Sequence, residues 1–117
     1  MPDVQGPVSS ISKERLLSMM SFIHQHYADK ISLEEIASSA MISTREALRC
    51  FQTNIHETPF EYLMGYRIET AKKLLKSTKL SMTEISLQTG FSNSAYFSKI
   101  FKRECNMTPL EYRKQFL

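Results

Sequence analysis

Several features that mark secreted, membrane and redox proteins are missing from this chain of 117 residues. It has two cysteines, Cys50 and Cys105, and they do not form a Cys-x-x-Cys pair. We expect both to be buried free thiols in a reducing compartment. No stretch approaches the roughly 18 apolar residues that mark a membrane-spanning helix, and no hydrophobic run follows a basic start. The sequence therefore predicts a cytoplasmic protein without a signal peptide or membrane contact.

Catalytic and cofactor-binding fingerprints are also missing. The chain contains no G-x-S-x-G, H-E-x-x-H, Walker or dinucleotide-binding motif. His24 and His26 lie two residues apart in a predicted helix, so they point to different faces and make a poor metal pair. We expect no enzyme activity, no metal and no cofactor.

The charge is spread unevenly along the chain. The net charge is +3, but residues 31–66 sum to −3 (two basic against five acidic) and residues 67–117 to +6 (ten basic against four acidic). A basic C-terminal part favours a polyanionic partner, although a solvated charged surface often gives such numbers.

A repeated frame organises the chain. The first copy runs from ISLEEIA at 31–37 to TPFEY at 58–62, and the second from LSMTEIS at 80–86 to TPLEY at 108–112. Each copy is near the size at which independent stability becomes marginal, so we expect the two units to depend on shared helices. Two similar units at a fixed distance are suited to binding a polymer at two similar, evenly spaced features.

Helix starts are marked by five capping boxes, in which a Ser or Thr precedes a Glu by three residues. These boxes are Ser32 with Glu35, Ser43 with Glu46, Thr58 with Glu61, Ser81 with Glu84, and Thr108 with Glu111. With the apolar spacing they predict an all-α fold of seven helices, at roughly 12–28, 33–40, 44–54, 59–76, 82–89, 93–104 and 109–115.

Short connections join two pairs of these helices, which is the helix-turn-helix arrangement. Gly90 can supply a positive φ in the second turn, whereas the first turn has Met41 and is less typical. The predicted organisation is a leader or linker at 1–11, a first helix-turn-helix unit at 12–57, a linker helix at 58–77 and a second unit at 78–117. The leader is expected to be loose, because residues 1–10 hold two of the four prolines.

Three segments carry a family resemblance: RIETAKKLL at 67–75, GFSNSAYFSKIFKR at 90–103 and TPLEYR at 108–113. Across about residues 12–116 the chain resembles the DNA-binding domain of the AraC/XylS family of bacterial transcription regulators. The resemblance implies double-stranded promoter DNA and RNA polymerase as partners, a place in the bacterial nucleoid, and some bending of the DNA. The family commonly joins this domain to one for effector binding or dimerisation, which we expect to be absent from this chain.

The apolar positions predict which faces of helices 44–54 and 93–104 point outward. By resemblance, the outward residues meet base edges in the major groove, and the candidates are Thr44, Arg45, Leu48, Arg49, Ser94, Ala95, Tyr96, Ser98 and Lys99. Phosphate contacts are predicted at both helix N-termini and at the end of the second helix, at Ser43, Asn93, Lys102 and Arg103.

Four positions depart from the family pattern. Ala47 stands where leucine is usual, and His56 and Asn106 replace the glycine that follows each recognition helix. Both replacements tolerate a left-handed conformation, so the turn should survive. Lys99 stands where arginine is usual, and because lysine lacks the planar fork that binds guanine, a phosphate contact is the alternative to a base contact at this position.

Sequence-specific regulation of transcription is the function that these observations favour. The two units are direct repeats with different exposed residues, so the DNA site should be asymmetric. The second unit should supply most nonspecific affinity, and the first much of the guanine preference. A helical protein-interaction module and a nonspecific nucleoid or RNA binder remain as alternatives.

Overall fold

The structure is a computed structural model that describes the backbone of residues 2–117 and the side chains of residues 10–117. Within that part the chain is all α-helical, without strands. The seven helices are α1 (Pro2–His26), α2 (Leu33–Ser39), α3 (Thr44–Ile55), α4 (Pro59–Ser77), α5 (Met82–Gln88), α6 (Ser94–Cys105) and α7 (Pro109–Lys114). The predicted all-α fold is confirmed, and α2 to α7 begin and end within one residue of the predicted bounds.

The first helix differs most from its prediction. It starts at Pro2 and so includes the backbone of the segment that we expected to be a loose leader. A proline at the first helical position is compatible with this start, because its fixed φ is helical and its missing N–H would have had no partner there. The prediction for residue 1 lies outside the described residues.

Four of the five predicted capping boxes form completely. Amides of Ser32, Thr58, Ser81 and Thr108 donate to the glutamate three residues on at 2.8–2.9 Å, and the hydroxyls accept from the glutamate amides at 3.0–3.1 Å. Each box satisfies two backbone donors that a helix start leaves unpaired. The fifth box, at Ser43, forms only in part.

The chain divides into two compact units. The first consists of the chain up to His26 and of Ile31–Leu63, and the second of Tyr27–Lys30 and Met64–Leu117. In the first unit α1, α2 and α3 pack on one another. Their buried side chains include Leu16, Met19, Ile23, Ile36, Ala37 and Phe51.

The second unit has its own core. The greater part of α4 packs with α5 and α6 around a continuous apolar cluster of Met64, Ile68, Ala71, Leu75, Ile85, Phe91, Phe97, Ile100 and Phe101. The first five residues of α4 belong to the first unit and the rest to the second. Helix α4, which we predicted as a linker helix, therefore contributes residues to both units.

Residues with a left-handed backbone conformation, at positive φ, lie in the turns of both units. Met41 has φ 57° and Gly90 φ 93°, so the first turn reaches a positive φ without glycine. His56 and Asn106 cap α3 and α6 at φ 57° and 59°. The expectation that these two residues preserve the turn in place of glycine is confirmed.

Two arginines of the second unit bind backbone carbonyls that are distant in the sequence. In the second unit the Arg67 guanidinium donates to the carbonyls of Tyr27 at 2.7 Å and Asp29 at 2.9 Å, just beyond the end of α1. Arg113 donates to three carbonyls at the end of α4, those of Leu75, Thr78 and Leu80. Each guanidinium thus joins backbone carbonyls of a loop to a helix of the second unit.

No helix among the described residues is long and apolar enough to cross a membrane.

Candidate nucleic-acid interface

Helix α3 presents one polar and basic face because its other face is buried. Ala47, Cys50 and Phe51 are buried, as the apolar spacing predicted. Arg45, Leu48 and Arg49 are exposed, and Thr44 is half-buried. These four are the base-contact candidates of the first unit, and they lie together on the outward face.

Two hydrogen bonds that sequence reasoning missed hold the buried face of α3 against α1. Cys50 Sγ donates to the carbonyl of Ser12 at 3.2 Å, and Asn54 Nδ2 donates to Ser12 Oγ at 2.8 Å. These bonds join the buried side of α3 to α1. The partners are about forty residues apart in the chain, so no local pattern indicated them.

Both cysteines are free thiols. Cys50 is buried as expected, whereas Cys105 is only half-buried because it lies at the C-terminal end of α6. The partial burial of Cys105 raises the pKa of its thiol.

Glu46 does not complete its capping box. Ser43 Oγ accepts the Glu46 amide at 3.2 Å, but the carboxylate lies 3.5 Å from Nη1 of Arg49, one turn further on. The expectation of five complete boxes is therefore wrong at this position. Among the five boxes, which all lie in the described part of the chain, Glu46 alone has a carboxylate that does not reach the cap amide.

Leu48 lies at the edge of the candidate interface. It is 41% exposed and lines a shallow apolar cavity of about 120 Å³ in the first unit. The walls of that cavity also include Leu33, Phe60 and Leu63. Leu48 is thus only partly exposed and lies beside other apolar side chains of the first unit.

Helix α6 presents a corresponding face in the second unit. Asn93 caps it by accepting the Tyr96 amide at 2.7 Å, so the helix starts at Ser94, one residue later than predicted. Phe97, Ile100 and Phe101 are buried. The base-contact candidates are exposed at Ala95, Tyr96 and Lys99 and half-buried at Ser94 and Ser98.

The phosphate candidates occupy the two ends of the recognition helices. The side-chain oxygens of Ser43 and Asn93 accept amide hydrogens, which leaves the Ser43 hydroxyl hydrogen and the Asn93 amide nitrogen as donors. Lys102 and Arg103 are exposed in the last turn of α6. Arg103 Nε lies 3.5 Å from Oε2 of Glu104.

The turn before α6 is tightly constrained by residues outside it. A Cβ added to Gly90 would lie 2.5 Å from the Tyr27 carbonyl oxygen and 2.6 Å from Arg67 Nε. Sequence reasoning identified the positive φ of Gly90 but missed this second reason for glycine. The arginine itself is 6% exposed, and burial lowers its pKa.

No three His, Cys, Asp or Glu side chains among the described residues are arranged to hold a metal ion.

Known proteins share both the sequence and the fold. The helix-turn-helix domain family matches residues 36–115. The chain is 40% identical over 104 residues to the HTH-type transcriptional regulator YdeC of Bacillus subtilis, covering 89% of this chain and 36% of that protein. The chain thus spans little more than a third of the length of that relative.

Two solved structures of DNA-binding domains have the same fold. An AraC-type transcriptional regulator from Chromobacterium violaceum superposes with a TM-score of 0.84 at 30% identity, covering 89% of this chain and 93% of that one. The DNA-binding domain of the global transcriptional factor AdpA, solved with a target DNA, superposes with a TM-score of 0.81 over 86% of this chain and 91% of its own. Its identity is 24%, so that comparison shows the fold alone.

Proposed function

This chain belongs to the AraC/XylS family of helix-turn-helix transcription regulators, and from that premise we propose that α3 and α6 enter the major groove of promoter DNA. The family is one of DNA-binding domains and not of enzymes. One observation carries the proposal: each of these two helices buries an apolar face in its own unit and leaves polar and basic side chains outward.

On α3 the base readers are Arg45 and Arg49. They lie four residues apart on an exposed face, and a guanidinium fork can donate two bonds to O6 and N7 of guanine. Each such pair contributes about 1–3 kcal/mol of discrimination against other bases. Thr44 adds a hydroxyl, and Leu48 offers its exposed edge to a thymine methyl.

On α6 the reading side chains are shorter and less basic. Ser94 and Ser98 offer hydroxyls that suit several base edges, and Ala95 and Tyr96 supply apolar contact. Lys99 is a point charge, so it contacts a phosphate or one guanine acceptor without a bidentate grip. The second unit therefore discriminates bases less strongly than the first.

Phosphates are bound at the helix ends. One set of phosphates is bound by the N-terminal amides of α3 and α6 together with the donors of Ser43 and Asn93. A second set is bound by Lys102 and Arg103. Residues 67–117 carry the excess of positive charge, so the second unit supplies most of the nonspecific affinity.

The site on DNA is asymmetric with two boxes. The units are direct repeats with different outward residues, so neither box is the inverted copy of the other. Some bending of the DNA on binding is what the resemblance to the family implies.

The relatives are longer than this chain, and we propose that the domain acts within a regulator of that kind. An effector-binding or dimerisation domain would control it, and RNA polymerase would be its partner at the promoter. The domain would bind promoter DNA in the bacterial cytoplasm, at the nucleoid.

Selection from a random duplex library at near-physiological salt tests the proposed function. Sequencing of the retained duplexes should give an asymmetric motif with two boxes about one helical turn apart. Salt-sensitive binding without a motif would favour a nonspecific binder, and absence of binding would favour a protein-interaction module.

A further inference from the structure

Glu46 lies where an acidic side chain opposes DNA binding. It occupies the third position of α3, between the outward arginines Arg45 and Arg49 in sequence, and its side chain is 44% exposed. A carboxylate near the phosphate backbone is repelled by it.

Helix capping does not explain the conformation of this acid. In the other four boxes the glutamate reaches back to the cap amide at 2.8–2.9 Å and so turns toward the helix start. Glu46 has the same spacing from Ser43 but turns the other way, toward Arg49. The pair lies on one side of α3, since residues three apart on a helix are neighbours.

The equivalent position in the second unit has no acid. The fifty-residue offset of the repeat aligns Glu46 with Tyr96 on α6. Only the first recognition helix therefore combines an acid with the arginines that we assign to guanine.

We propose that Glu46 is a specificity-determining residue of the first recognition helix. It weakens binding to unmatched DNA by repelling phosphates, and it orients the Arg49 fork toward guanine. At a matched site the carboxylate can also accept from the amino group of a cytosine. The favourable contacts offset the repulsion only at that site. This inference rests on the proposed function of α3.

The decisive variant is Glu46→Gln, which keeps the size of the side chain and removes its charge. Dissociation constants are measured for two duplexes of equal length: the one selected from the random library and a scrambled version of it. Loss of the charge should strengthen binding to the scrambled duplex by about threefold to tenfold. Binding to the selected duplex should change less than twofold or weaken, so the ratio of the two constants falls.

Glu104→Gln is the matched control. Glu104 also pairs with an arginine at 3.5 Å, and the side chains have similar exposure, 62% for Arg103 and 47% for Glu104. It lies at the end of α6, among phosphate candidates only. Its substitution should strengthen binding to both duplexes equally and leave the specificity ratio unchanged.

The possible outcomes distinguish failure of this inference from failure of the proposed function. If the wild type discriminates between the duplexes but Glu46→Gln behaves like Glu104→Gln or has no effect, Glu46 is not a specificity residue. If the wild type binds both duplexes equally, the proposed function fails and the inference fails with it.

Discussion

Arg67 holds its guanidinium against the backbone of Gly90, so that a Cβ on this glycine would lie 2.6 Å from Arg67 Nε. The same Cβ would lie 2.5 Å from the carbonyl oxygen of Tyr27, which Arg67 binds. The turn between α5 and α6 is thus closed by an arginine from α4. Glycine is required here both by its φ of 93° and by the lack of space.

Gly90→Ala should destabilise the second unit strongly. Backbone strain at a positive φ alone costs about 1–3 kcal/mol, and the clash with the Tyr27 carbonyl adds to it. Urea unfolding measures the loss. Gly65→Ala is the control within the same unit, because its added Cβ would meet no atom within 4 Å beyond its chain neighbours and the adjacent backbone of its own helix. That helical substitution should stabilise by about 0.4–1 kcal/mol. Equal effects of the two variants would refute the packing described for Gly90.

Arg67→Met should also destabilise the second unit. The substitution removes the Arg67 donors to the Tyr27 and Asp29 carbonyls, and the loss of hydrogen bonds to partly buried carbonyls costs about 1–3 kcal/mol. Arg67→Lys should lie between, because one ammonium cannot reproduce the two-pronged contact. The control is Arg103→Met, which changes an exposed arginine and should alter stability by less than about 0.5 kcal/mol. A loss for Arg67→Met as small as that of the control would contradict the stabilising role of these two hydrogen bonds.

The salt dependence of DNA binding should depend on the end of α6. Replacing Lys102 and Arg103 together by glutamine removes two predicted phosphate contacts and should reduce the slope of log K against log salt by about 1.8. Binding isotherms on a scrambled duplex between low and moderate salt give the slope. Substitution of Lys13 and Lys30, which lie outside both recognition helices, should leave it nearly constant. An unchanged slope in the α6 variant would remove these residues from the phosphate-binding set.

Stability should fall in acid through the capping boxes of Ser81 and Thr108. The cap amides of Ser81 and Thr108 lower the pKa of Glu84 and Glu111. A carboxyl with a depressed folded pKa stabilises fully above its unfolded value, about 4.3, and loses that contribution as pH falls through the lower folded value. The double variant Glu84→Gln and Glu111→Gln should therefore show a shallower loss of stability between about pH 5 and 3. Melting temperatures across that range measure it.

Glu104→Gln is the comparison for the acid series, since Glu104 caps no helix among those described. It should retain the acid dependence of the wild type. If the double variant has the same acid profile as this control, the boxes do not contribute to acid sensitivity.

The helices were predictable because their signals are local. A hydroxyl, a glutamate three residues on and an apolar spacing are enough to mark where α2 and α5 begin. The buried faces of α3 and α6 followed from the same spacing, and so did the set of outward candidates. Their contacts with DNA stay a prediction.

What the sequence could not supply depends on tertiary contacts. Arg67 and Arg113 bind carbonyls more than thirty residues away, and Asn54 meets Ser12 across a similar gap. No spacing rule relates such partners. Glu46 has the spacing of a box but a different partner, because a neighbouring arginine competes with the cap amide for its carboxylate.

The central claim is that each recognition helix reads its own box. Duplex selection with the wild type, with Arg49→Ala and with the double variant Ser98→Ala and Lys99→Ala tests it most directly. Arg49→Ala should weaken the guanine preference in one box and leave the other box intact, and the α6 variant should weaken the base preference of the other box and leave the guanine preference intact. Motifs that stay the same in both variants, or that lose both boxes in each, would contradict the account.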